Sequence, residues 1–399
     1  MDVDDDARTI GRRLRQIRES RGKSLRVLAD LSGVLSAASL SRIENGLRAL
    51  DRRSEIVALA NVLQIAPSEL TKLPMPAPEN GDADGAVIAV RQALMAVSRN
   101  RPGGQVVPVD ALRTRVRELL VVAQRQCRQA EVGAALPALI RDLHTSIADC
   151  RDVAALLELA VLLHTQGSHA WLRVMGATVE LRSLAALVAR QAAEHRDDPT
   201  TMGLAVWGDA LAMLAAGDFD LARAELDSVT VPTNNPESMQ LAGMLALCRS
   251  LIAAADRRPA EMDAALDCAG ELAQRTGEGN AYFLGFGPTG VGLWRMAAAL
   301  EAGHPDTAVQ IAEGLRPEEH PSRARQATYW VDYGRALAHV RRRDDAVVAL
   351  CRAETISPLH LHRDPFAREV IAGLLTRTRR DSPAGRQLRR MACRASLPG

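Results

Sequence analysis

Apolar residues recur three and four positions apart along most of this chain, the spacing that places them on one face of a helix. In Ile10–Gly22, Ile10, Leu14 and Ile17 share a face and Gly22 stops the helix. Ser24 is placed to cap a short second helix running through Leu31. After Gly33, Ser36–Gly46 reads as a capped third helix terminated by Asn-Gly. Ser54–Leu63 and Pro67–Leu70 supply two more, enough to close a five-helix core. From Ala86 onward the same periodicity continues in helical segments, among them Asp110–Gln129, Ala134–Ile147 and Asp152–Gln166. Nothing alternates with period two, so the chain is predicted to be all-α.

The pattern breaks at Leu73–Gly85, where three prolines and two glycines deny helix continuation. The expected division is a first domain at 1–73, a linker at 74–85 and a long helical domain at 86–399. Within the last, Gly217–Leu226, Gly303–Ala312 and Arg343–Leu350 share one logic: a turn, an acid near the helix start, then an alanine followed four residues on by a larger apolar residue. Each reads as the second half of a helical hairpin. In the last copy Trp330, Tyr333, Gly334, Leu337, Ala346, Leu350, Ala353 and Pro358 fall at the spacings of a 34-residue pattern, with Gly334 and Ala346 small where two helices cross. This stretch resembles tetratricopeptide repeats, which implies an α-solenoid with a concave binding surface.

Composition narrows the picture further. With 47% apolar but only 3% aromatic residues over 399 positions, the chain suits Ala/Leu-rich helices and is too long for one ordinary core. The net charge of +2 hides a segment from Arg8 to Arg53 with 12 basic residues against four acids, a local excess that attracts phosphates. Asp2, Asp4, Asp5 and Asp6 stand where a signal peptide would be basic and apolar. No apolar run approaches the ~18 residues of a membrane span, so a cytoplasmic location without a membrane partner is expected. Six scattered cysteines offer neither zinc-ligand spacing nor a disulfide framework.

Within the basic segment, Leu-Ala ahead of Gly33 and then Ser36-x-x-x-Leu40-Ser-Arg-Ile-Glu-Asn-Gly46 resemble the lambda-repressor/Cro, or xenobiotic-response-element, class of helix-turn-helix domains. Joined to tetratricopeptide-like repeats, the whole chain resembles repeat-containing regulators of actinobacterial type. The resemblance implies that Ser36–Asn45 is the recognition helix, with Ala37, Ala38, Ser39 and Arg42 facing bases. Arg42 is the long side chain there, and a guanidinium suits the paired acceptors of guanine. Ser24, Arg26, Arg48, Arg52 and Arg53 are then expected at phosphates. Arg18 and Glu44 are expected to pair structurally between the first and third helices. Leu25 replaces the glutamine usual at its position, and Leu35 reads as an insertion in the turn.

Other constellations carry less. His360-x-His362 follows Pro358 with no third ligand nearby, so a solvated or capping role is expected and no metal. Phosphate-loop, zinc-protease and nucleophile-elbow motifs are absent from the sequence; neither an enzyme nor a cofactor is expected. Arg275–Trp294 packs six glycines with Tyr282, Phe283, Phe286 and Trp294. It reads either as close helix packing or as a ligand pocket in which Asn280 supplies an amide and Tyr282, Phe286 and Trp294 form the wall. The expectation is a homodimeric regulator that binds a double-stranded DNA operator, its solenoid taking a peptide, small-molecule or protein effector. The alternative is an interaction scaffold that the first domain tethers to DNA.

Overall fold

Five helices build the first domain: α1 (Ile10–Ser20), α2 (Leu25–Ser32), α3 (Ala37–Glu44), α4 (Arg53–Leu63) and α5 (Pro67–Thr71). The computed structural model describes residues 9–72, 81–149 and 151–397. The hydroxyls of Thr9, Ser24 and Ser36 accept from the backbone N–H groups of Arg12, Val27 and Ser39, satisfying donors that a helix start leaves open. Gly33, at φ 63°, ends α2 in the left-handed conformation that favours glycine. Leu35, expected as a mere insertion, is buried with Leu28, Leu40 and Ile43. The longer turn therefore contributes an anchor to the core.

The second region begins earlier than expected. Helix α6 (Gly81–Val97) incorporates residues assigned to the linker, because glycine in a helix costs about 1 kcal/mol without forbidding it. Residues 74–80 of the expected linker lie outside the described residues. Then follow α7 (Val109–Val121), α8 (Gln129–Ala148), α9 (Val153–Leu162), α10 (Ala170–Val174) and α11 (Val179–Arg196). Two π-helical stretches, Val122–Gln126 and Leu163–His169, interrupt this series, and every residue of the second is buried.

Hairpins come next: α12 (Pro199–Ala216) with α13 (Phe219–Asp227), α14 (Pro236–Ala255) with α15 (Pro259–Thr276), α16 (Pro288–Glu301) with α17 (Pro305–Glu313), and α18 (Arg323–His339) with α19 (Arg343–Ile356). The chain closes with α20 (Pro358–Arg363), α21 (Pro365–Leu375) and α22 (Pro383–Arg394). Prolines open many of these helices, where their missing N–H costs nothing. At Gly334 a Cβ would meet Leu350 at 2.9 Å, so the α18–α19 crossing requires the small residue the repeat pattern placed there. The described residues contain no strand, and the architecture is a five-helix domain followed by a tetratricopeptide-like α-solenoid.

The solenoid curls far enough for its two ends to meet. Gln124 Nε2 donates to the carbonyl of Phe283 at 2.7 Å, and Arg363 Nη1 donates to that of Met175 at 2.9 Å. Leu359 packs against the core of the N-terminal repeats. Helix α14 is long and apolar enough to cross a membrane by length and composition, but it is spent in the solenoid core, where most of it is buried. His360 and His362 depart from the solvated role expected of them: they sit on α20, where His360 is buried beside Thr328 Oγ1 at 3.2 Å and His362 pairs with Glu354 at 2.6 Å. Pro358 starts a helix there instead of a loop.

Candidate nucleic-acid interface and effector pocket

Three helices set the geometry of the exposed face of the first domain. A Cβ at Gly11 would collide with the backbone of Ile43, so α1 approaches α3 as closely as glycine permits. Arg18 clamps the pair, with Nε at 2.6 Å and Nη2 at 2.7 Å from the two carboxylate oxygens of the buried Glu44. Arg18 therefore serves α3 from beneath, as the resemblance implied. Above it α3 presents Ser36, Ala38, Arg42 and Asn45 to solvent, with Ala37 and Ser39 half-buried. Ser24 and Arg26, at the start of α2, are exposed beside them. Neither Arg26 nor Arg42 has a hydrogen bond or ion pair to a described residue, so both guanidinium groups are available to an anion. The Asn45 side-chain amide donates to the carbonyl of Ser41 at 2.7 Å and closes the helix end.

Arg48, Arg52 and Arg53 are placed differently from their expected phosphate-facing positions. Arg48 Nη2 lies 2.7 Å from the buried Glu55, which Arg52 also engages. Arg53 gives both its backbone N–H and Nη1 to Glu301 of α16, each at 2.5 Å. The physical reason is that two nearly dry carboxylates, one from the repeat domain, need cations.

The first domain is docked on the solenoid through more than Arg53. Asp51, 1% exposed, accepts from Arg335 Nε at 3.1 Å and lies 3.0 Å from His339 Nε2, while Arg335 Nη2 donates to the Asp51 carbonyl at 2.8 Å. Burial opposes ionisation of Asp51, yet His339 and Arg335 outweigh it and hold the carboxyl well below its usual range. Glu369 on α21 takes the N–H of Ile10 at 2.8 Å. Phe366 enters the first domain's core and carries the guanidiniums of Arg53 and Arg335 at 5.2 and 4.9 Å from its ring centre.

Docking also brings repeat-domain arginines beside α3. Thr376 Oγ1 donates to the carbonyl of Gly46 at 3.3 Å, directly after α3. Next to it, Arg341, Arg342, Arg343, Arg377 and Arg379 line a groove together with Asp344 and Asp345. Burial, and then the like charges of Arg343, Arg42 and Arg341, lower the pKa of Arg377. Arg377 therefore lies close enough to Arg42, Arg343 and Arg341 to feel their charges, which makes a mainly basic edge beside α3. The sequence signal was present in the arginine runs at 341–343 and 379–380, but nothing local joined them to residue 42.

Residues 9–73 match a family model for a helix-turn-helix domain. The exposed helix of this helix-turn-helix domain is α3. No curated protein matches the chain. Among solved structures, the complex of Bacillus thuringiensis PlcR with the peptide PapR7 and DNA is similar to this chain at 13% identity and a TM-score of 0.26, over 67% of this chain and 95% of that one.

The expected effector residues are only partly brought together. Phe286 is fully buried, packed where a Cβ at Gly243 would sit, so it is core and not a pocket wall. This favours close helix packing as the reason for its neighbouring glycines. Tyr282 is half-buried in a left-handed conformation at φ 53°. Asn280 keeps its side-chain carbonyl shielded from solvent without a hydrogen-bond partner in the structure. Trp294 is 7% exposed and carries the guanidinium of Arg325 at 5.2 Å.

Proposed function

We propose that the protein is a sequence-specific DNA-binding transcription regulator of the lambda-repressor/Cro class, whose helix-turn-helix domain reads an operator while the docked solenoid receives an effector. The observation that carries this reading is the free guanidinium of Arg42 on an exposed, capped α3, continuous with the basic edge of Arg377 and its neighbours. A guanidinium can make paired hydrogen bonds to guanine, and arginines alongside can neutralise the flanking backbone. Ser24, Arg26, Ser36, Ala37, Ala38, Ser39 and Asn45 complete the contact face. The protein acts by binding, with no catalytic step and no metal, as a homodimer on a two-fold symmetric site.

Docking supports regulation by the solenoid. An effector influences DNA binding only through different affinities for arrangements of the two domains, and Asp51, Arg53 and Glu369 join the α3 side of the molecule directly to α16, α18 and α21. Selection of random duplexes with the full-length chain tests the reading. A recurrent motif with two-fold symmetry is expected. Recovery of unrelated sequences with uniform, salt-sensitive affinity would contradict it.

A further inference from the structure

The curled solenoid closes on itself through the tip of a short loop between α15 and α16. The Gly279 N–H donates to the carbonyl of Phe286 at 2.8 Å and pinches off residues 280–285. The base of this loop is anchored: Phe286 is buried under Gly243, Glu278 Oε1 accepts from the Thr289 N–H at 2.7 Å, and His320 Nε2 lies 3.0 Å from the Gly285 carbonyl. From outside the loop, hydrogen bonds reach the tip, residues 280–283, through two glutamine side chains. Gln240 Oε1 on α14 accepts from the Ala281 N–H at 3.0 Å. Gln124 Nε2, from the first turns of the solenoid, donates to the Phe283 carbonyl at 2.7 Å and lies 3.4 Å from Gln166 Oε1.

The closed tip is held against opposing terms. Tyr282 and Phe283 are consecutive non-glycine residues in the left-handed region, at φ 53° and 58°, which side chains with a Cβ rarely adopt. Such strain collects at ligand clamps and switches. Asn280 Oδ1 and Gln166 Nε2 are shielded from solvent without hydrogen-bond partners, an acceptor and a donor whose lost hydration is not compensated. Gln166 itself is only 5% exposed. Gln124 and Gln166 both stand on π-helical stretches, Val122–Gln126 and Leu163–His169, a geometry that recurs at functional sites. Tyr282 and Phe283 are only half-buried against the core, so apolar burial secures the tip less than Phe286 secures the base.

We infer that residues 280–283 form a clasp that swings off Gln124 and opens the solenoid at this seam, uncovering Gln166 and Asn280. Gly279 and Gly285 flank the moving tip, and Gly285, at φ 65°, already holds a conformation that favours glycine. The base keeps its place because Phe286, Glu278 and His320 act outside the tip. Opening releases both strained residues and gives the two shielded amides access to water or to a ligand. An effector that binds the uncovered amides favours the open clasp through its differential affinity; only this last step rests on the effector reading above.

Hydrogen exchange of the full-length protein, read by mass spectrometry with neither DNA nor effector present, tests the clasp. Its failure is thus distinct from failure of duplex selection. The amides of Ala281, Phe283 and Leu284 are hydrogen-bonded in the closed form. They should nevertheless exchange at least about a hundredfold faster than those of residues 293–296 in α16. Gln124→Ala, which removes the bond across the seam, should speed exchange at the tip at least about threefold and leave residues 293–296 unchanged. Asn280→Ala should act the other way. The Asn280 side chain makes no hydrogen bond to a described residue, so the change removes a shielded acceptor and slows exchange at the tip by about threefold. The wild-type comparison and Asn280→Ala stand independently of Gln124→Ala. Tip amides protected like those of α16, an unchanged tip in Gln124→Ala, or tip exchange that Asn280→Ala fails to slow would overturn the inference.

Discussion

Glu369 is a carboxyl group held where a charge is costly. Burial pushes its pKa to about 7, against the N–H groups of Ile10, Leu50 and Gly11, while the nearby charge of Asp51 pushes the same way as burial. From the ordinary carboxylate range up to about pH 7, the folded protein keeps a proton that the unfolded chain has released. Glu369 therefore contributes stability at low pH that is lost as pH rises through this window, on the order of 3 kcal/mol in all. Asp51 has the opposite sign: its depressed pKa adds stability above the usual carboxylate range, and that contribution is lost only on further acidification. Urea unfolding at about pH 5 and about pH 7.5 separates the effects. The wild type should lose more stability between the two than Glu369→Gln, with His339 common to both proteins; equal losses would contradict this reading of Glu369. The pairing of Arg18 with Glu44 was legible through the family resemblance, which implies a bond between an arginine late in the first helix and the glutamate of the Ile-Glu-Asn-Gly string. The place of Arg53 was not, since its partner Glu301 becomes apparent only after the two domains dock, whereas Arg48 and Arg52 turn to Glu55 of their own domain, seven and three residues on.

At the scale of elements, the caps and breakers did most of the specifying. Ser24, Gly33 and Ser36 set α2 and α3, and the alanine-and-glycine crossing of α18 with α19 followed from a repeat spacing. The helix expected at Asp152–Gln166 runs into the π-helical stretch Leu163–His169 without a visible break in the sequence, because a slightly wider turn leaves apolar periodicity almost unchanged over so short a run. The Gly-rich stretch before α16 left two readings open, and burial of Phe286 under Gly243 decides its share in favour of packing. The turn between α18 and α19 and the end of α21 also acquire a role beyond connecting helices. Both Arg341 and Arg379 are exposed there, in the groove that Arg377 shares. Arg343→Ala/Arg379→Ala should weaken binding to operator and unrelated duplex alike, and reduce the slope of log affinity against log salt by about one per lost contact. An unchanged slope would remove the solenoid from the DNA footprint.

At the scale of the whole molecule, the repeat domain both completes the basic surface around α3 and grips the helix-turn-helix domain from behind. Helix positions and the two-part organisation were legible from periodicity and the resemblances. The inter-domain arrangement was not, because Asp51 with Arg335 and Ile10 with Glu369 are hundreds of residues apart and share no local pattern. The DNA-facing role of α3 is the central claim, and it turns on Arg42. Binding of wild type and Arg42→Ala to a selected duplex and to its scrambled counterpart, at one salt concentration, measures it most directly. The account predicts a loss of roughly 1–3 kcal/mol on the selected duplex and little on the scrambled one, since a paired guanine contact exists only with the right base. Equal losses on both duplexes would contradict it.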